Sequence, residues 1–263
     1  MDCKLIKPLF FTSLMGLCSA LPAQASIERA NEIARSVEAS DRGYQDETVT
    51  GELNIRSADG TEVNRTFTMT TLEVAPGGDK RVVVFEKPRD LAGFVSLNHS
   101  EILEPDKQWI YLPALKRSRR LSARDKTGAF AGSEFSYEDI VRWELEKYEY
   151  RYVGQENCAQ TRCEVIEDIP LYPYSGYSKL VESIDMDILQ PRKIVYYDLQ
   201  GRAFKELELF EYKKIGKYWR PMRSRMTNLI TQAVSEIQWQ NYEFQQGLND
   251  RDFRAERIAK WSR

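Results

Sequence analysis

The sequence predicts a mainly β (α+β) protein, a strongly curved antiparallel sheet or incomplete β-barrel closed by a few helices. Three observations predict it. Roughly ten segments rich in β-branched and aromatic residues follow one another, separated by short turns that carry glycine, proline or aspartate. Helical spacing is confined to the two ends of the exported chain and to one short stretch in its middle. A meander of that many strands must curl or close to protect its edges, and helices are at hand to be wrapped.

The elements follow in order. Lys4 and Lys7, the apolar run from Leu9 to Leu21, Pro22 and the small-residue pattern Ala23-Gln24-Ala25 read as a signal peptide over residues 1–25, cleaved near Ala25-Ser26. Its apolar run is shorter than the roughly 20 residues a membrane helix needs. Cys18 raises lipidation, which requires a small residue before the cysteine, and Leu17 stands there. Residues 26–263 are then expected to form one exported domain. In 26–39, Ile27, Ala30, Ala34 and Val37 make one helical stripe that ends at Asp41-Arg42-Gly43. Strands are predicted over 48–55, 61–74, 80–87, 91–98, 108–112 and 115–121. A second group covers 146–154, 163–169, 178–188, 192–200, 203–215, 217–230 and 233–244. Gly201 and Gly216 mark tight hairpin turns, and Pro221 marks an edge, a bulge or a break. The last residues, from Asn249 or Asp250 as N-cap, return to a helical pattern.

Composition removes several function classes. Without Lys4, Lys7 and Asp2 the formal charge moves from −2 to −3, and the charges are of mixed sign, so no nucleic-acid partner is indicated. Outside the leader two cysteines remain, Cys158 and Cys163 in "CAQTRC". In an oxidising compartment a disulfide is the expected state, and closing so short a loop contributes roughly 2 kcal/mol. Half of a metal site is the competing reading, but it needs further ligands and the chain has a single histidine, His99. No catalytic serine elbow, zinc-binding helix or phosphate loop is present. His99 reads as a turn histidine. Asp185 and Asp187 could hold a weak cation site but read as a solvated face. Glu101, Glu104 and Asp106 read as charge balance for nearby cations. The protein is therefore not expected to be an enzyme, and no catalytic residue, cofactor or metal is assigned.

One stretch asks for more, "WIYLPALKRSRRL" at 109–121. Trp109, Ile110, Tyr111 and Leu112 are apolar, and Lys116, Arg117, Arg119 and Arg120 follow directly after Pro113-Ala114-Leu115. On a strand, Leu115, Arg117 and Arg119 alternate with Lys116 and Arg120, so cations leave both faces. Unpaired charge cannot be buried cheaply. Either acidic partners meet these arginines, or the strand lies at a rim open to water. The next segment, 122–140, contains Gly128, Gly132, Phe130 and Phe135, then the capping pattern Ser136-Tyr137-Glu138-Asp139. Two readings stand: a mobile loop whose exposed phenylalanines gate a site or dock on a membrane, or a loop whose phenylalanines fill the core.

The stretch "WIYLPALKRSRRLSARDKTGAFAGSEFSYEDI" resembles the signature of the periplasmic outer-membrane lipoprotein-sorting family, the LolA/LolB-like superfamily, in the branch associated with RND-type exporters. The match is most specific over about 105–141 and looser through "EKPRDLAGFVSL" and "YWRPMRSRMTN". The resemblance implies an open β-barrel closed by helices around a hydrophobic cavity for acyl chains. It implies a carrier that takes a lipid or lipoprotein toward the outer membrane, with an inner-membrane RND-type exporter as partner and transient membrane contact. The best-known outer-membrane receptor of the superfamily is lipid-anchored, and this chain departs from it in lacking the lipidation site. Trp109, Tyr111, Leu112, Leu115, Lys116, Arg117, Arg119, Arg120, Phe130 and Phe135 are the candidate lipid- or partner-binding residues. A non-catalytic docking or sensor module for a transporter or regulator is the alternative.

Overall fold

The structure, a computed structural model, describes residues 23–74, 77–158 and 161–262. Of the expected leader, residues 1–25, the part up to Pro22 lies outside them, and Ala23–Ala25 open the first helix. Helix α1 runs Ala23–Asp41 and buries Ala30 and Ala34 of the predicted stripe together with Ile33, while Ile27 and Val37 are half-buried. Gly43 follows at φ 89°, a left-handed turn that glycine enters without strain.

Among the described residues there are fifteen strands. The first group is β1 (Asp46–Arg56), β2 (Glu62–Leu72), β3 (Lys80–Lys87), β4 (Val95–His99), β5 (Lys107–Leu112) and β6 (Arg117–Arg120). The second is β7 (Tyr148–Cys158), β8 (Thr161–Pro170), β9 (Lys179–Asp185), β10 (Gln190–Tyr197) and β11 (Ala203–Phe210). It ends with β12 (Lys213–Ile215), β13 (Tyr218–Arg220), β14 (Arg223–Asn228) and β15 (Val234–Phe244). Between the groups sits α2 (Tyr137–Ile140), capped as its sequence predicts by reciprocal bonds between Ser136 and Asp139.

Thirteen strands form one sheet in the order β6-β5-β4-β3-β2-β1-β15-β14-β11-β10-β9-β8-β7, and β12 and β13 form a separate hairpin. Each half of the chain is a meander, and antiparallel pairing of β1 with β15 joins them. β6 and β7 stay unpaired on their outer sides, so the barrel is not closed. The sheet is nevertheless strongly curled. β3 and β10 are six strands apart, about 29 Å on a flat sheet at ~4.8 Å per strand. Yet Phe85 of β3 and Tyr196 of β10 belong to one buried cluster, bridged by Phe130 and Phe135.

Alternation assigns the two faces. Val83 and Phe85 join the inner cluster, while Val82 and Val84 join an outer one with Phe253, Ile258 and Trp261. The C-terminal segment therefore covers the outer face of β3 to β5. The inner face takes α1 over Tyr150, Ile166 and Ile184, and the segment between β6 and β7 elsewhere. No helix among the described residues is long and apolar enough to cross a membrane.

Three expectations change. The C-terminal helix is a 3-10 helix over Ala255–Lys260, with Asn249 instead receiving the Arg251 N–H in a local turn. The strand expected over 203–215 breaks at Glu211, whose φ of 56° points the chain out of the sheet. The strand expected over 91–98 starts only at Val95, after a turn held by Leu91 and Gly93. Pro221 does separate β13 from β14. Cys158 and Cys163 are joined by a disulfide.

Candidate functional site

β5 and β6 place the stretch 109–120 at one edge of the sheet. Trp109 pairs with Arg120 and Tyr111 with Ser118, and Ile110 pairs with Arg119 and Leu112 with Arg117. Trp109 and Tyr111 face outward, packed with Phe253 and Trp261 beneath the C-terminal segment. The Trp109 ring also meets the His99 ring edge-on at 4.9 Å, and Arg120 lies 5.8 Å from its centroid. They are part of a second core and do not line the inner face, so the apolar half of the stretch is divided. Only Ile110 and Leu112 face inward.

The cations resolve toward the rim. All four residues of β6 are exposed, and Lys116 holds a left-handed turn at φ 49°. Among the described residues Lys116, Arg117, Arg119 and Arg120 form no ion pair. Of the carboxylates expected to balance them, Glu101 binds Lys107 at 2.5 Å and Asp106 binds Lys147 at 3.0 Å, and Glu104 forms no ion pair among the described residues. Leu115, at the turn between β5 and β6, is 64 % exposed. Asp185 pairs with Arg192 at 2.6 Å in place of a shared cation site with Asp187.

Residues 122–141 form a plug in the hollow of the sheet. Phe130 is 1 % and Phe135 4 % exposed, so of the two readings the structure takes the one in which the phenylalanines fill the core. The ring of Phe130 lies 5.6 Å from Phe85 and 5.3 Å from Tyr137. Polar contacts then fasten the plug. The Glu134 N–H donates to Ser235 Oγ at 2.9 Å, and Asn228 donates to the Glu134 carboxylate at 2.9 Å. Lys126 Nζ donates to the Pro173 carbonyl at 3.0 Å, over the Tyr172 ring at 4.1 Å. Burial lowers the Lys126 pKa from the usual lysine range. Asp139 is held by Lys205 at 2.5 Å and by the Tyr177 hydroxyl at 2.6 Å.

Beyond the plug, a cavity of about 140 Å³ remains under residues 138–143. Tyr148, Tyr172, Tyr177 and Tyr196 wall it, with Leu180, Ile194 and Leu207. An engineered cavity of about 150 Å³ takes one benzene, so this space is far too small for a long acyl chain. Glu182 projects into it from β9, flanked in register by Ile166 and Ile194, and is 5 % exposed. Its carboxylate makes no hydrogen bond or ion pair among the described residues. Burial pushes its pKa up to about 7. Asp168 is the diagonal neighbour on the same face, since it pairs with Leu180. One Asp168 oxygen receives the Trp143 N–H at 3.2 Å, and the other is buried without a partner. Burial first, and then the charge of Glu182, raises the Asp168 pKa well above the usual carboxylate range.

The structure thus divides the predicted site residues among three places: Trp109, Tyr111 and Arg120 on the outer face, Leu115, Lys116, Arg117 and Arg119 at the rim, and Leu112, Phe130 and Phe135 on the inner side. The cavity residues were not among those predicted. The alternation Leu180-Glu182-Ile184 carried the signal, because it sets an acid between two inward apolar side chains.

An open antiparallel sheet curled around a helix and a plug, with one apolar inner face, is the LolA-like fold. A family model described as "uncharacterized protein" matches residues 77–260. A solved domain from Vibrio parahaemolyticus, described as an outer membrane lipoprotein-sorting protein, is 38% identical with a TM-score of 0.86, covering 89% of this chain and 99% of its own. A DUF1329 family protein from Desulfovibrio piger is 26% identical with a TM-score of 0.84, over 89% of this chain and 99% of its own. A LolA superfamily protein from Nitrosomonas europaea shares the fold, with a TM-score of 0.68 at 20% identity over 90% of this chain and 99% of its own. Among curated proteins none matches. The chain belongs to the outer membrane lipoprotein-sorting family represented by the Vibrio domain, and it shares the LolA-like fold.

Proposed function

We propose that this protein is a periplasmic carrier that takes the acyl chains of a lipid or lipoprotein onto the inner face of its sheet and moves them toward the outer membrane. The observation that carries the reading is the plug. The apolar inner face, with Phe67, Met69, Phe85, Met226 and Ile237, is covered by Phe130 and Phe135 from a single irregular segment. An acyl chain can take the place of those two rings when the segment swings out. The exchange is favourable in magnitude. Burying the ~14 methylenes of a 16-carbon chain contributes about 11 kcal/mol, whereas exposing two phenylalanines costs about 2–3 kcal/mol each.

The sheet also has one end suited to a membrane surface. The turns after β5, β10 and β14 all lie at that end by antiparallel register. They carry Leu115 at 64 %, Leu199 at 66 % and Ile230 at 69 % exposure. Arg117, Arg119, Arg120 and Lys116 stand beside Leu115 and fit an anionic headgroup or an acidic exporter surface. An RND-type inner-membrane exporter is the proposed partner, by family resemblance. The leader-like N-terminus and the Cys158–Cys163 disulfide support export to the periplasm. The cargo is carried and released with no covalent step.

The closed interior favours a second reading, a docking or sensor module whose hollow stays filled by its own side chains. Native mass spectrometry with lipid extraction on protein from its own periplasm separates the two. A bound amphiphile is the expected result, and a clean apo mass after candidate lipids are offered leaves only the docking module. Locking the plug adds the mechanism. Glu134→Cys with Ser235→Cys, oxidised, should lose lipid uptake, and Glu134→Cys alone should keep it.

A further inference from the structure

We propose that the tyrosine-walled cavity is a binding site for a small aliphatic primary ammonium group, with Glu182 as its counter-charge. The argument begins with charges that are already spent. Of the cations lining the cavity, Arg142 is held by Asp41 at 2.8 Å and Asp79 at 3.1 Å, and Lys147 by Asp106 at 3.0 Å and Glu144 at 3.5 Å. Lys205, just beyond, is held by Asp139. Glu138 is satisfied by Tyr172, Ser175 and the Gly176 N–H. Glu182 is left over, 5 % exposed and aimed into the void, and the buried oxygen of Asp168 beside it has no donor.

Ionised carboxylates buried without donors are costly, and a cationic donor entering the cavity would remove that cost. The missing partner must be cationic and must donate hydrogen bonds. A primary ammonium brings three N–H donors, whereas a quaternary ammonium brings none. A metal ion fits poorly, because the groups flanking Glu182 in register are Ile166 and Ile194, and no group of three His, Cys, Asp or Glu among the described residues is arranged to hold one. The walls agree with an organic cation. Tyr148, Tyr172, Tyr177 and Tyr196, with Leu180, Ile194 and Leu207, offer a short lining of rings and alkyl groups to its carbons. A volume of about 140 Å³ sets the size at about six heavy atoms.

The proposal goes beyond the carrier reading and does not rest on it, since the probe is too short to occupy the acyl-sized inner face. The test titrates the purified protein at pH 8 with n-butylammonium chloride, n-butanol and tetramethylammonium chloride, by calorimetry and thermal unfolding. Saturable one-site binding and a raised Tm are expected with n-butylammonium, no Tm rise with n-butanol, and at least tenfold weaker binding of tetramethylammonium. Glu182→Gln should weaken n-butylammonium binding at least tenfold while its far-ultraviolet circular dichroism stays unchanged. Equal effects of n-butylammonium and n-butanol on the wild-type protein would overturn the site whether or not the variant folds. Tetramethylammonium bound as tightly, or undiminished binding by folded Glu182→Gln, would overturn it as well.

Discussion

Glu182 stands between Leu180 and Ile184 on the inner face of β9, 5 % exposed and largely removed from bulk water. Its pKa rises from 4.5 to about 7, so the folded protein holds a proton over a window in which the unfolded chain has lost it. The associated stability is complete below about pH 4.5 and is lost as pH rises through about 7, on the order of 3 kcal/mol in all. Asp168, Tyr148, Tyr150 and Tyr196 face the same carboxylate. Asp168, also raised, steepens the fall in the same direction. Glu182→Gln should therefore be more stable than wild type at pH 8 and lose that advantage by pH 4, read as Tm against pH. Parallel Tm profiles for the two proteins would mean that Glu182 does not carry the titration. Arg119 and Arg120 are the opposite case. Both are exposed and form no ion pair among the described residues, so Arg119→Glu with Arg120→Glu should change stability by no more than about 0.5 kcal/mol each. The same double variant should weaken lipid or partner binding. Unchanged binding by the folded variant removes these arginines from the mechanism.

The strands show how far alternation reaches. β1 to β3 and β7 to β10 appear close to where β-branched and aromatic periodicity predicts them, because inward and outward side chains differ in kind there. The break at Glu211 was not legible, since the alternation runs straight through it and the left-handed residue is not glycine. Faces were harder than strands. Trp109 and Tyr111 lie outward only because the C-terminal segment covers them, a long-range packing that local sequence does not encode. The plug was legible as an element, with its glycines and its Ser136 cap, but not as an interior, because two phenylalanines in a glycine-rich run fit a core and a surface equally well. Burial now makes a prediction. Phe130→Ala removes a ring packed among Phe85 and Tyr137 and should destabilise by about 3–5 kcal/mol, measured by urea unfolding. A loss below about 1 kcal/mol would place Phe130 at the surface in solution. Cys158→Ser with Cys163→Ser should cost only about 2 kcal/mol, because the loop it opens is short.

At the scale of the molecule, the two faces of the sheet are covered in different ways. The outer face is sealed by the C-terminal segment, where Phe253 is fully buried and the His99 ring meets the Phe253 carbonyl at 2.7 Å. The inner face is closed by α1 at one side and by the plug at the other, and the plug has no strand of its own beyond a single bridge between Ala129 and Ser136. Its fastening is a handful of hydrogen bonds, each contributing about 1 kcal/mol net, together with its two rings. An acyl chain gains more than that by entering, so cargo and plug should compete for one surface. Hydrogen exchange reads this competition directly. On adding a long-chain acyl ligand, amides of 129–136 should lose protection, while those of β2, β3 and β15, now covered by cargo, should keep or gain it. If ligand instead protects 129–136, the plug closes over the cargo as a lid, and the space must come from the sheet opening between its free edges, β6 and β7. The oxidised lock between positions 134 and 235 distinguishes the same two routes, since it blocks displacement of the plug and leaves the free edges untouched.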